Sequence, residues 1–385
     1  MRREGHIRQR SPGSFEVRYC VGRDGKGMWR WATFTVRGTL KDARAELRKR
    51  LDRPATAGKV TVGQWLGLWL ETVRQEVSPK THERYAELVE NFLVPKLGGV
   101  PLAKLGPLQI QPVYNGWAIG GRLDGKPGGL SPRTRHHLHR ILKSALNRAV
   151  ADQLLLQNPL DRRRWLPKVE RRPMAILTPE QSTELLKAIE HTRIYWPTLL
   201  ALTTGMRRGE ILALRWKNLD LRGGVVRVVE SLEETRPEKG RATLRFKPPE
   251  SGHPRSITLP GFAVEELRRL KVKQREELLA LGLRQSGETL VCGRADGAPM
   301  VPESLTHEFA RLVGSMGQRV TFHGLRHSHA SHLLRTGAHP KIVQERLGHS
   351  TIAITMDLYS HLMDGMEAGA ASQIDELFRK AGDFQ

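Results

Sequence analysis

The sequence predicts a multidomain protein, mainly α with small β elements. Its expected parts are a basic N-terminal β module, a helical middle domain and an α+β domain that carries the chemistry. Three observations predict this. The chain has 385 residues, too many for one ordinary core. Polar segments rich in Pro, Gly or Arg interrupt it at 54–59 and at about 162–173. The apolar period is two before the first break and near 3.6 after it. The expected divisions are therefore 1–53, 60–161 and 173–385.

Composition narrows the partner. Lys and Arg number 63 against 40 Asp and Glu, a formal net charge of +23. An excess of this size suits a polyanion that carries phosphates. An anionic membrane surface would call for a basic amphipathic helix or an anchor, and the sequence offers neither. A ribosomal or RNA partner is the other reading of the charge. The two cysteines, Cys20 and Cys292, have no metal-ligand spacing, and a reducing cytoplasm is expected, with a lone bridge between them the alternative. The start, Met1-Arg2-Arg3-Glu4, leads into polar sequence, so no signal peptide is expected.

In the first part Phe15, Val17 and Tyr19 alternate with polar residues, residues 22–27 make a turn, and 29–36 form a second strand. A short helix with Ala43, Leu47 and Leu51 on one face follows. Residues 1–53 hold fifteen Lys and Arg against six Asp and Glu, which fits either a duplex-DNA contact or a solvated basic hairpin. In the second part Thr61 and Gln64 make a capping box ahead of Trp65, Leu68 and Trp69, where the two tryptophans read as helical core. Ser78-Pro79 and Ser131-Pro132 start two more helices. The last of these has an apolar stripe from Leu138 to Ala149, and its other faces carry Arg133, Arg135, Arg140, Lys143 and Arg148. Those five are the candidate DNA-binding residues, since such a face can lie along a phosphate backbone; a solvated surface is the plain alternative.

The third part opens on a capping box of Thr178 and Gln181. Helices are expected at 195–203 and 206–215, strands at 225–229, 242–246 and 256–259, and helices thereafter. Four short segments stand out. Thr204-Gly205-Met206-Arg207 places an arginine in the first turn of a helix, where anions are favoured, with Glu210 three residues on to brace it. His323 and Arg326 meet at i and i+3, pairing a proton carrier with a fixed cation. Leu347-Gly348-His349 follows a short helix, and Tyr359, one of five tyrosines, lies ten residues further on. His323 and His327 have zinc-like i, i+4 spacing, but no Cys or acidic partner is near and no metal is expected. His327, His329 and His332 read as packing or backbone-contacting residues.

In order and spacing these segments resemble the signature of the tyrosine recombinase (phage integrase) family. The resemblance covers about 173–365, and the basic module and helical domain upstream are similar to an arm-type DNA-binding module and a core-binding domain. It implies that Tyr359 attacks the scissile phosphate of double-stranded DNA, giving a 3′-phosphotyrosine and a free 5′-hydroxyl. Arg207 and Arg326 would clamp the phosphate oxygens, His323 would handle the tyrosine proton, His349 would donate a hydrogen bond, and Glu210 would brace Arg207. The resemblance implies no cofactor. It implies a homotetramer on attachment-type sites, integration or excision of a mobile element, and the cytoplasm and nucleoid of a bacterial host. A directionality factor and a host DNA-bending protein are further expected partners. Two other functions stay open: a catalytically impaired DNA-binding relative, and a type IB topoisomerase-like relaxing enzyme.

One departure stands out. The family usually places a lysine in a β-hairpin turn, as general acid on the leaving 5′-hydroxyl. The corresponding hairpin is read over 246–255, and aligning Arg255 with the basic residue of the return strand puts Glu250 in the lysine's place. Lys247 is the expected substitute, with Lys239 a second candidate; otherwise protonation of the leaving group is impaired. The segment 373–380, with Ile374, Leu377 and Phe378 on one face, reads as a short amphipathic helix that packs on a neighbouring subunit or on its own domain.

Overall fold

The structure is a computed structural model and describes residues 5–23, 29–51, 60–161, 166, 175–236, 242–359, 374–375 and 378–379. The chain divides into two compact units, Met1–Glu170 and Arg171–Gln385.

The first unit begins with an antiparallel sheet in the order β1 (His6–Ser11), β2 (Ser14–Arg23), β3 (Trp29–Arg37). The alternation of Phe15, Val17 and Tyr19 predicts β2, and all three are buried. The strand β1 is the addition. Its side chains are mostly exposed, so it has no alternating apolar pattern to read. Helix α1 (Leu40–Leu51) covers the sheet, with Ala43 fully buried against Phe15 and Val17.

A separate core holds the helical part. It comprises α2 (Val62–Val73), α3 (Pro79–Leu88), a π turn at Val89–Leu93, α4 (Val94–Leu97), α5 (Pro107–Ile119) and α6 (Pro132–Ala151). The Thr61–Gln64 capping box forms in both directions, at 3.2 and 3.0 Å. Trp65 and Trp69 are core residues, and the Trp65 indole N–H donates to the Ala145 carbonyl at 2.9 Å, fastening α2 to α6. The apolar stripe of α6 is buried from Leu138 to Ala149.

The second unit opens on α7 (Pro179–Ile189), whose cap is the expected Thr178–Gln181 box. Then come α8 (Tyr195–Thr204) and α9 (Arg208–Ala213). A sheet of order β4 (Leu219–Asp220), β5 (Val225–Val228), β8 (Arg255–Thr258) lies beside a separate hairpin of β6 (Ser231–Thr235) and β7 (Thr243–Lys247). Strand β7 pairs with β6 and β8 pairs with β5, so 246–255 is not one hairpin but a link between two sheets. This corrects the sequence reading. The strand β6 was missed because Glu233, Glu234 and Thr235 do not look apolar, although Glu234 and Thr235 are buried.

Helices α10 (Gly261–Ala280), α11 (Pro302–Ser315), α12 (Phe322–Arg335), α13 (Pro340–Leu347) and α14 (Ile352–Tyr359) complete the unit. Helix α12 threads the middle. Its Ser328 hydroxyl accepts from the Leu177 N–H at 2.8 Å, and His332 donates to the Leu177 carbonyl at 2.8 Å. No helix among the described residues is long and apolar enough to cross a membrane. The segments 54–59 and 373–380 lie wholly or mostly outside the described residues, as do Lys239 and the turn at 24–28.

The helical core makes a stability prediction. Leu142 is fully buried. Leu142→Ala should lower the stability of that part by about 2–5 kcal/mol, read as an earlier urea midpoint; an unchanged midpoint would place Leu142 outside the core.

Candidate active site

Helix α8 ends where Gly205 takes a left-handed conformation, φ +67°. A Cβ there would lie 2.6 Å from the His329 ring and 2.7 Å from Leu347, so only glycine fits the turn. Arg207 is the N-cap of α9, extended at φ −69° and ψ 150°, and not part of its first turn as the sequence reading had it. Its own N–H donates to Glu210 Oε2 at 2.9 Å and its Nη1 to Glu210 Oε1 at 3.2 Å. The backbone and side chain of one arginine are thus fixed by one carboxylate.

Glu210 is fully buried at its side chain. Arg255, the first residue of β8, binds it bidentately, at 3.0 and 2.6 Å. Burial by itself would raise the Glu210 pKa. The hydrogen bond and charge of Arg255, with the N–H and charge of Arg207, outweigh it and hold the carboxyl below its ordinary range. Arg255 also donates from Nε to the Arg346 carbonyl at 2.9 Å, and its guanidinium lies against Gly348. It therefore links Glu210 to the turn that carries His349. Sequence reasoning noticed Arg255 only as an alignment mark, because its two partners lie 45 and 91 residues away.

Arg326 is buried in α12, with 3% of its surface exposed. It donates from Nη1 to the Gly205 carbonyl and from Nη2 to the Leu347 carbonyl, each at 2.6 Å. The Leu347 carbonyl also receives Arg207 Nη1 at 3.5 Å, so the two arginines converge on one oxygen. His323, one turn before Arg326, feels both charges. Its pKa is lowered, first by partial burial and then by Arg326 and Arg207, with Glu250 opposing. A neutral imidazole there can accept a proton.

His349 follows Gly348, which closes α13 at φ +66°. Its Nδ1 lies 2.9 Å from the hydroxyl of buried Thr355 in α14. Burial, then Arg326 and Arg207, lower its pKa to about 4. No spacing rule pointed to Thr355. Arg346 is a further residue that the sequence did not single out. It binds the Thr203 carbonyl and the Thr258 carbonyl, each at 3.1 Å, and His329 Nε2 at 3.4 Å. His329 donates from Nδ1 to the Leu202 carbonyl at 2.8 Å, so this ring is neutral and structural. Burial lowers its pKa to about 4. His327 stands edge-on to His323, with centroids 5.1 Å apart. Among the described residues no three His, Cys, Asp or Glu gather as a metal site.

Of the expected site residues, the fold brings Arg207, Glu210, His323, Arg326 and His349 together. Lys247 is bound elsewhere, its Nζ 2.6 Å from Glu233 across the β6–β7 hairpin. Glu250 comes in instead, with Oε2 3.1 Å from Arg207 Nε. Tyr359 is the last residue of α14, and its side chain lies outside the described residues. On α6, Arg133 and Arg140 are exposed, while Lys143 pairs with Asp161 and Arg148 with Asp152 and Glu76. Arg135 is half-buried there.

Two guanidinium groups meet on one oxygen, flanked by two imidazoles whose pKa values are lowered, so cations and hydrogen-bond donors are concentrated at one place. Comparison with known proteins agrees. Residues 175–366 match the phage integrase family and 61–118 match the phage integrase N-terminal SAM-like domain. The chain belongs to the tyrosine recombinase family, enzymes that cleave and rejoin DNA through a tyrosine. It is 26% identical to a XerC-like tyrosine recombinase of Caldanaerobacter subterraneus, over 94% of this chain and 96% of that one. It is also 26% identical to the integrase of Mycobacterium phage L5, over 84% and 81%. Among solved structures, the Tn1549 transposon integrase in complex with circular intermediate DNA superposes with a TM-score of 0.65 at 24% identity, over 83% of this chain and 99% of that one. A lambda integrase tetramer bound to a Holliday junction gives 0.59 at 18%, over 90% and 95%.

Two outcomes follow from this geometry. Arg255→Met leaves a buried carboxylate with half its partners and should cost about 3–5 kcal/mol, measured by urea denaturation. Adding Glu210→Gln should recover part of that loss; strict additivity would separate the two residues. Three buried or half-buried histidines set a pH dependence. His327, His329 and His349 have folded pKa values lowered to about 4, from an ordinary 6.5. As pH falls the unfolded chain takes up protons first, so their contribution is full above about pH 6.5 and is lost as pH falls towards 4. The urea midpoint should drop between pH 7.5 and 5, and a rise would reverse the assignment.

Proposed function

We propose that this protein is an integrase, a site-specific recombinase that integrates or excises a mobile element through a 3′-phosphotyrosine. The observation that carries the reading is the convergence of Arg207 and Arg326 on the Leu347 carbonyl, beside His323 and His349. In this reading the Tyr359 oxygen attacks the scissile phosphorus and the bond to the 5′-oxygen breaks. The tyrosine proton passes to His323, whose lowered pKa keeps it ready to accept. The two guanidinium groups balance the charge that grows on the non-bridging oxygens. Thr355 donating to Nδ1 of His349 would leave the Nε2 proton aimed at a phosphate oxygen. The leaving 5′-oxygen takes a proton from Lys247, which must first release Glu233. A second 5′-hydroxyl then attacks the phosphotyrosine and gives its proton to Lys247, while the phosphorus–tyrosine bond breaks and the tyrosine oxygen recovers its proton from His323, so the bond energy is kept and no ATP is consumed.

The reading extends to assembly and place. Strand exchange joins two duplexes, which calls for a homotetramer on attachment-type sites. The basic module 1–53 serves as an arm-type DNA-binding domain, 60–161 as a core-binding domain and 173–385 as the catalytic domain with its tail. Arg133, Arg135, Arg140, Lys143 and Arg148 meet the backbone, the last two by exchanging their internal carboxylates for phosphates. A directionality factor, a host DNA-bending protein and a nucleoid location in a bacterial cytoplasm complete it. A second reading, a DNA-binding relative with impaired chemistry, is favoured by one observation, the Glu250 carboxylate on Arg207.

The test supplies wild type or Tyr359→Phe in excess in the source strain and deep-sequences the DNA for new junctions. Junctions at one shared short sequence, seen only with wild type, are expected. Purified Tyr359→Phe should bind the recovered junction duplex within about twofold of wild type and form no covalent adduct. Binding by wild type with no adduct on a nicked junction duplex would turn the conclusion to the impaired relative.

A further inference from the structure

The pair between Glu250 and Arg207 is placed where the substrate's charge must go. Arg207 meets Glu210 through its N–H and Nη1, and Glu250 through Nε. The two carboxylates differ in kind. Glu210 is wholly buried and shared with Arg255, whereas the Glu250 side chain is 62% exposed on the link between β7 and β8. Glu210 is built in, and Glu250 can leave.

We infer that Glu250 is a stand-in for the scissile phosphate, holding the Arg207 end of the site until a phosphodiester displaces it. This rests on the strand-transfer reading of the site, and the exposure of the Glu250 side chain beside the half-buried Arg207 supports it. An exposed ion pair is weak, so phosphate can compete with it. An isolated anion must pass that competition, while DNA already held by the rest of the protein passes it easily. Glu250 therefore discriminates for a phosphate delivered by a bound duplex.

The test compares wild type with Glu250→Gln, which keeps the shape and removes the charge. The first arm needs no recombination. Phenylglyoxal modification of Arg207 is followed by peptide mass spectrometry while inorganic phosphate is titrated in. Half-protection of Arg207 should occur at about two- to fivefold lower phosphate in the variant, the size of one exposed pair. Equal protection in the two proteins overturns the inference, whatever the activity. The second arm measures adduct formation on a nicked junction duplex at subsaturating DNA. Glu250→Gln should be faster by about the same two- to fivefold factor. A slower variant overturns the inference, because it would make the carboxylate a participant in the chemistry. Loss of adduct in both proteins with the protection shift intact leaves the stand-in standing and sinks the strand-transfer reading instead.

Discussion

The buried carboxylate of Glu210 is the interaction on which the site depends. A charged group with no exposed surface is costly unless its oxygens are filled, and here they receive Arg207 and Arg255 from different parts of the chain. One partner caps α9 and the other opens β8, so a single ionised group fixes the angle between a helix and a strand 45 residues apart. Arg255 then reaches on to the Arg346 carbonyl and the Gly348 turn. The geometry of the candidate site therefore follows in part from satisfying one buried charge.

Around that anchor the backbone supplies what side chains alone could not. Arg326 sits in a nearly dry place and has no carboxylate among its hydrogen bonds to Gly205 and Leu347, which are both carbonyls. Carbonyl dipoles orient the guanidinium at the point where α8, α12 and α13 meet. The positive potential of the arginines also acts on the histidines. Partial burial beside two arginines keeps His323 and His349 neutral, one able to accept a proton and one able to donate a hydrogen bond.

The departure in the sequence, Glu250, changes meaning once the fold is known. Read as a line, residues 246–255 look like one hairpin with a glutamate at its tip. In space the link passes between two sheets, and its carboxylate reaches Arg207 while Lys247 turns back to Glu233. Both positions were legible as letters. Which of them faces the arginines depends on strand pairing, and pairing depends on β6, whose polar residues are buried by contacts far along the chain.

The sequence by itself determined the local elements and supplied the candidate reacting groups. Capping boxes at Thr61 and Thr178, the stripe on α6 and the i, i+3 spacing of His323 and Arg326 are short-range facts, and each appears in the fold as expected. Charge excess and the four motifs fixed the class of partner, because a polyanion with a reactive phosphorus asks for cations, a proton carrier and a nucleophile. Only the tertiary structure decided that Arg207 is a cap, that Arg255, Arg346 and Thr355 hold the site in place, and that Glu250 occupies it. These depend on contacts between residues far apart in sequence, or, for Thr355, on the angle at which α14 leaves the Gly348 turn. No local period encodes such contacts; they follow from which surfaces must be buried together.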